Sequence, residues 1–121
     1  MVQHLCLLSK VKDETGEGSM ARIVKKQHIK ELYQAILELK DVEECENFFR
    51  DLCSPVEISS IEQRYAVAKL LTQNTVYLKI LEETKASTAT ISRVNRVLND
   101  GTGVLRETIT KLNEKEKNTS K

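Results

Sequence analysis

The residues of this sequence best suited to chemistry form a short run, Ser87-Thr88-Ala89-Thr90-Ile91-Ser92-Arg93, with Arg96 one turn further on. Ile91, Val94 and Leu98 recur at helical spacing and take the inner side of a short helix. Its outer side then carries small hydroxyls, one methyl and two guanidinium groups. That set suits DNA. Ser and Thr hydroxyls bond to phosphates or base edges, an Ala or Thr methyl meets the thymine methyl, and Arg pairs with phosphate or guanine. The helix N-terminus adds a partial positive charge. A plainer account fits the same residues, because Ser and Thr also cap ordinary helices and an outward Arg is commonly just solvated. The pattern alone leaves DNA binding open.

Little else in the chain competes for chemistry. Two His and three Cys show no nucleophile–base arrangement, so the sequence does not read as an enzyme. Cys6, Cys45 and Cys53 are odd in number and lack C-x-x-C spacing, which fits a reducing compartment rather than a disulfide framework. Metal binding would need His4, Cys6 and His28 to converge with a further ligand, and no motif supports it. No metal and no cofactor are expected. No stretch reaches the length of a membrane span, and the apolar start Met1–Leu8 lacks a basic lead, so the chain reads as cytoplasmic. The net charge of +1 gives no overall basic signal, although only the surface that faces phosphate must be positive.

The elements that would position the run are helices. Four Gly and one Pro in 121 residues are too few for a turn-rich, sheet-rich design, so the expected class is all-α. Residues 1–24 lack periodicity and include the polar run Lys12–Ser19, which reads as a flexible N-terminal extension; Met20 could be an internal start. Ile29, Leu32, Tyr33, Ile36 and Leu37 mark a first amphipathic helix. Asp41 can cap a second, whose stripe Val42, Cys45, Phe48, Phe49 and Leu52 holds both Phe residues and is expected near the centre of the core. Ser54-Pro55-Val56-Glu57 is a capping box and opens a third helix, through Ile58, Ile61, Tyr65, Ala68 and Leu71. Thr75 is expected to cap a short fourth helix that ends near Thr84-Lys85, and Ser87 starts the fifth. Gly101 stops the fifth and Thr102 caps a sixth, with Val104, Leu105, Ile109 and Leu112. The domain is thus placed at 25–112, with 113–121 as a frayed tail. Two short helices with a tight turn are the frame of a helix-turn-helix.

Three segments carry a resemblance. Leu52-Cys53-Ser54-Pro55-Val56-Glu57-Ile58, the run Gln63–Leu71, and Glu82–Arg93 together resemble the tryptophan repressor superfamily, and within it a YerC/YecD-type branch. The similarity spans about Ile29 to Leu112, with Ala86–Arg93 its most specific part. The resemblance implies a six-helix fold with a helix-turn-helix, an intertwined homodimer, and reading heads in successive major grooves of double-stranded DNA. Thr88, Ala89 and Thr90 match base-facing positions, and Ser92 and Tyr77 match backbone-contacting ones. Lys85, Ser87, Arg93 and Arg96 complete the expected DNA-binding set.

Tryptophan sensing does not carry over. The family's two ligand-holding arginines correspond to Arg93 and Gln63, and Gln63 has neither charge nor a guanidinium plane. Arg64 is adjacent, but one helical residue turns a side chain by about 100°. Val94 and Val97 replace a Gly and a Ser and are expected to fill the cavity. Leu78 and Leu81 replace basic residues, and Lys85 takes a turn position usually held by Gly, where positive φ is strained. The resulting expectation is a homodimeric, sequence-specific transcriptional regulator, a repressor, working without L-tryptophan. The alternative is a helical protein-interaction module that has kept the fold and lost DNA recognition.

Overall fold

A computed structural model describes residues 25–119. The expectations for residues 1–24, including the possible ligands His4 and Cys6, lie outside the described residues. Six helices follow one another: α1 (Lys26–Leu37), α2 (Val42–Leu52), α3 (Pro55–Thr72), α4 (Tyr77–Thr84), α5 (Thr88–Asp100) and α6 (Val104–Thr119). The described residues contain no strand, and none of their helices is long and apolar enough to cross a membrane. The chain divides between Cys45 and Glu46 into two compact units.

Local signals account for most helix ends. Asp41 Oδ1 accepts the Glu44 amide at 2.8 Å, satisfying one orphan donor at the start of α2. At Ser54 the capping box closes in both directions. Ser54 Oγ accepts the Glu57 amide at 3.2 Å, and the Ser54 amide donates to Glu57 Oε1 at 2.8 Å. The bond from the Ser54 amide, with help from its hydroxyl, holds the Glu57 carboxyl below its ordinary value.

α3 ends in a Schellman arrangement. Asn74 takes φ 59°, its amide reaches the Leu71 carbonyl at 3.1 Å, and the Thr75 amide reaches that of Leu70 at 3.0 Å. Thr75 is therefore committed to closing α3. It does not cap α4, whose N-cap is Val76 without a side-chain bond. Gly101 closes α5 in an extended conformation rather than a left-handed one (φ −81°, ψ −159°). Close approach explains why this position is glycine: an added Cβ would lie 2.5 Å from the Val97 carbonyl oxygen. The last helix runs to Thr119, past the expected limit at Leu112 and through most of the segment read as a frayed tail.

In the unit that ends at Cys45, α1 is amphipathic, yet its stripe is largely uncovered. Ile29, Leu32, Tyr33 and Leu37 are all exposed, Leu37 at 82%. In the unit from Glu46 onward, α3 packs against α4, α5 and α6. The core there is Val67, Ala68, Ile80, Ala86, Ile91, Val94, Leu98 and Ile109, backed by Leu70, Leu71, Leu81 and Leu105. Val67, Ile80, Ile91 and Ile109 are fully buried, each contributing about 1.5–3 kcal/mol.

The two Phe residues do not form the core centre. Phe48 and Phe49 meet edge to face, with ring centroids 5.5 Å apart, but both are half-buried and α2 has no buried residue. Among the described residues, the apolar stripe of α2 stays partly open to solvent.

Replacing Ser54 with Ala removes the hydroxyl half of the capping box. Ser54→Ala should cost about 1 kcal/mol in a urea unfolding series. In wild type, the depressed Glu57 carboxyl contributes stability above its unfolded pKa, lost as pH falls through the folded value. In Ser54→Ala that acid-side loss should be smaller.

Candidate nucleic-acid interface

α4 and α5 are joined by the three residues Lys85, Ala86 and Ser87. Their turn is held by a chain of short bonds. Thr84 Oγ1 donates to the Ile80 carbonyl at 2.7 Å and accepts the Ala86 amide at 3.2 Å. The Lys85 amide donates to the Leu81 carbonyl at 3.0 Å. Lys85 itself adopts φ 59° and ψ 17°, the left-handed conformation that the family resemblance implies for this turn position. Ala86 is buried at 4%, so the turn is pinned to the core by its middle residue. Ser87 then caps α5: its Oγ accepts the Thr90 amide at 3.1 Å and donates to Thr90 Oγ1 at 3.1 Å.

Sequence and periodicity fix what α5 shows. Ile91, Val94 and Leu98 are buried, while Thr88, Ala89, Ser92, Arg93 and Arg96 are exposed on the opposite side. Tyr77, Lys85 and Ser87 are exposed as well. Thr90 differs from its neighbours: it is half-buried, and its hydroxyl is engaged by Ser87. Neither Arg93 nor Arg96 forms an ion pair among the described residues. Their charges are free for an external anion.

Charge is distributed unevenly along the chain. From Val76 to Asn99 there are four basic residues (Lys79, Lys85, Arg93, Arg96) and two acidic ones (Glu82, Glu83). Lys79 lies 3.9 Å from Glu83, an exposed pair that holds it loosely. From Asp41 to Asp51 the balance reverses, with five acids and only Arg50 basic. The near-zero total charge is thus a sum over segments of opposite sign.

The two leucines in place of basic residues part company. Leu81 is half-buried and packs on the core, so it serves stability. Leu78 is 69% exposed beside Val76 and Tyr77.

Beside the turn, Ser60, Ile61, Gln63, Arg64, Tyr65, Thr90, Arg93, Val94, Val97 and Leu105 line an open groove of about 480 Å³. Val94 is buried, but Val97 is 47% exposed, so the two valines narrow this space without filling it. Arg64, expected to turn away, also reaches the lining. Gln63 is tied down, with Nε2 donating to the Thr84 carbonyl at 3.0 Å. In the sequence, Gln63 is marked only by the arginine it lacks. Its polar bond partner is a backbone carbonyl 21 residues away, which no residue pattern marks.

Comparison with known proteins adds the family. The Trp repressor protein family model matches residues 27–113, nearly all of the described chain. The chain belongs to the Trp repressor family. The uncharacterized protein YerC of Bacillus subtilis (strain 168) is 46% identical over 94 residues, covering 78% of this chain and 90% of YerC. The crystal structure of a TrpR-like protein from Eubacterium eligens ATCC 27750 superposes with a TM-score of 0.70 at 49% identity, over 74% of this chain and 92% of that one. A crystal structure from Staphylococcus aureus gives a TM-score of 0.70 at 44% identity, over 74% and 89%. The fold is therefore all-α and Trp repressor-like, and at family level the chain is a DNA-binding regulator.

Lys85 allows backbone strain to be separated from function. Lys85→Gly should raise stability by about 1 kcal/mol, since glycine takes the left-handed conformation without penalty. The same variant should bind DNA more weakly if the Lys85 ammonium meets phosphate. Urea unfolding and a DNA titration on one preparation read both effects.

Proposed function

We propose that this chain is a sequence-specific, homodimeric transcriptional regulator, a repressor, that reads DNA through a helix-turn-helix formed by α4 and α5. The observation that carries this reading is the exposed face of α5, where Thr88, Ala89, Ser92, Arg93 and Arg96 stand together with both guanidinium groups unpaired. In this reading Thr88, Ala89 and Thr90 meet base edges, Thr90 from its half-buried place beside Ser87. Ser92, Arg93, Tyr77, Lys85 and Arg96 hold phosphates. Ser87 acts through its cap, which orients the first turn of α5 and its amides.

The homodimer is supported by bare apolar surface. Ile29, Leu32, Tyr33 and Leu37 on α1, Val42 and Leu52 on α2, and Val56 at the start of α3 are all exposed in the single chain. Amphipathic helices whose apolar residues are exposed call for a partner, and a second copy supplies complementary stripes by symmetry. Two reading heads related by a two-fold axis fit half-sites about one helical turn, roughly 34 Å, apart.

Action without tryptophan is supported by the engagement of Gln63 with the Thr84 carbonyl, which occupies the side chain standing where the family resemblance places a ligand-holding arginine. L-Tryptophan at millimolar concentration should therefore change neither the melting temperature nor the DNA affinity. A saturable rise in melting temperature would mark binding to the native state and overturn this point.

Selection of bound fragments from sheared genomic DNA is the decisive experiment, with sedimentation giving the mass of the free protein. A two-chain mass and an enriched palindrome with half-sites about ten base pairs apart are expected. Binding should weaken with salt at a log–log slope no steeper than about −7, the limit if four basic residues in each of two subunits meet phosphate. Thr90→Ala should lose affinity mainly at one base position, and Arg93→Ala across all sequences. A folded dimer that enriches no fragment would favour the second reading, a protein-interaction module, for which exposed Val76, Tyr77 and Leu78 are the specific support.

A further inference from the structure

α4 and α5 rest on α3 mainly through apolar contact: Val67 and Ala68 pack in one cluster with Ile80, Ala86, Ile91, Val94 and Leu98. Such packing is strong but non-directional, and it tolerates small rotations of one helix on another. A hydrogen bond does not, because it weakens steeply away from its preferred geometry. Among the described residues, one side-chain hydrogen bond joins α3 to the α4–α5 pair: Gln63 Nε2 to the Thr84 carbonyl at 3.0 Å, part-buried.

The acceptor's place gives this bond its reach. Thr84 is the last residue of α4, where carbonyls lack intrahelical partners. The hydroxyl of that same residue holds the Ala86 amide, and the turn passes directly to Ser87, the cap of α5. Gln63 also lines the groove that Thr90 and Arg93 border. An unbroken set of bonds thus runs from the body of α3 through Thr84 and the turn to the first turn of α5.

We infer that Gln63 is a positioning residue for DNA recognition: through the Thr84 carbonyl it locks the α4–α5 turn to α3 and fixes the angle at which α5 meets the groove. The inference rests on the DNA-reading role of α5 proposed above. It makes the reading head permanently set, by a side chain of the protein itself.

The test is Gln63→Met, which keeps length and volume and removes the donor. Hydrogen exchange reads the turn directly, without DNA, at the Lys85 and Ala86 amides. Protection there should fall in Gln63→Met and recover in Gln63→Lys, which restores a donor of similar reach. Affinity for the palindromic fragment recovered by genomic selection should fall about tenfold in Gln63→Met, the weight of one interior hydrogen bond. Affinity for bulk DNA should hardly change. Measured well below the melting temperature, this split distinguishes positioning from a general loss of stability. Unchanged turn exchange, or fragment affinity within about twofold of wild type, would overturn the inference. A wild-type protein that binds no DNA would instead remove the reading on which it rests, and the exchange result alone would then judge the lock.

Discussion

The arrangement from α3 onward depends on one face of α3. Val67 and Ala68 are both fully buried, and the three helices that follow all pack on the helix that carries them. Ala68 matters by being small, because a short side chain lets neighbouring helices approach closely. Four β-branched side chains, Val67, Ile80, Ile91 and Ile109, fill the space around it. Each has few χ1 choices, so packing them costs little further freedom and leaves few alternative arrangements. The result is a small, stiff platform. A DNA-reading helix needs such a platform, because its side chains must arrive at base edges within fractions of an ångström.

Much of this was legible in the sequence where a local rule applied. The capping box at Ser54, the Asp41 cap and the Ser87 start of α5 all depend on residues within four positions of each other, whereas the left-handed Lys85 was legible only through the family resemblance. The inner face of α5 was equally plain, since Ile91, Val94 and Leu98 are its clear apolar stripe and all three are buried. The Trp repressor-like fold was also legible, in segments that the family comparison matches. The DNA-facing roles of individual residues stand apart, since they depend on a partner that no single chain contains.

What the sequence hid has physical reasons. α3 carries apolar residues all round, from Val56, Ile58 and Ile61 through Tyr65 to Leu71, so periodicity cannot say which side is inside. Ile61 and Tyr65, among the apolar residues that mark this helix in the sequence, stay exposed at 45% and 37%, while Val67 is fully buried. The Phe pair misled for a related reason. Aromatic residues signal burial, but the sequence does not say whether the covering surface belongs to the same chain. Thr75 shows a third limit: a capping residue type between two helices can serve the end of the first as readily as the start of the second.

A protein with a net charge of +1 cannot rely on bulk attraction to hold DNA. Two consequences follow from the segment charges. The acidic run from Asp41 to Asp51 opposes close approach of phosphate to α2, whereas the segment around α5 is net basic. With four basic residues from Val76 to Asn99, one of them shared with Glu83, that segment offers only limited non-specific attraction, and geometry must supply what charge does not. Geometry in turn demands that the head not wander. The strained Lys85, the buried Ala86, the Thr84 hydroxyl and the Gln63 amide all restrict the same three-residue turn. Ala86 ties part of this set to core packing, but the Thr84 hydroxyl and the Gln63 amide add directional bonds that the packing itself does not require. This is the expected arrangement if the angle between α4 and α5 is what the protein must preserve.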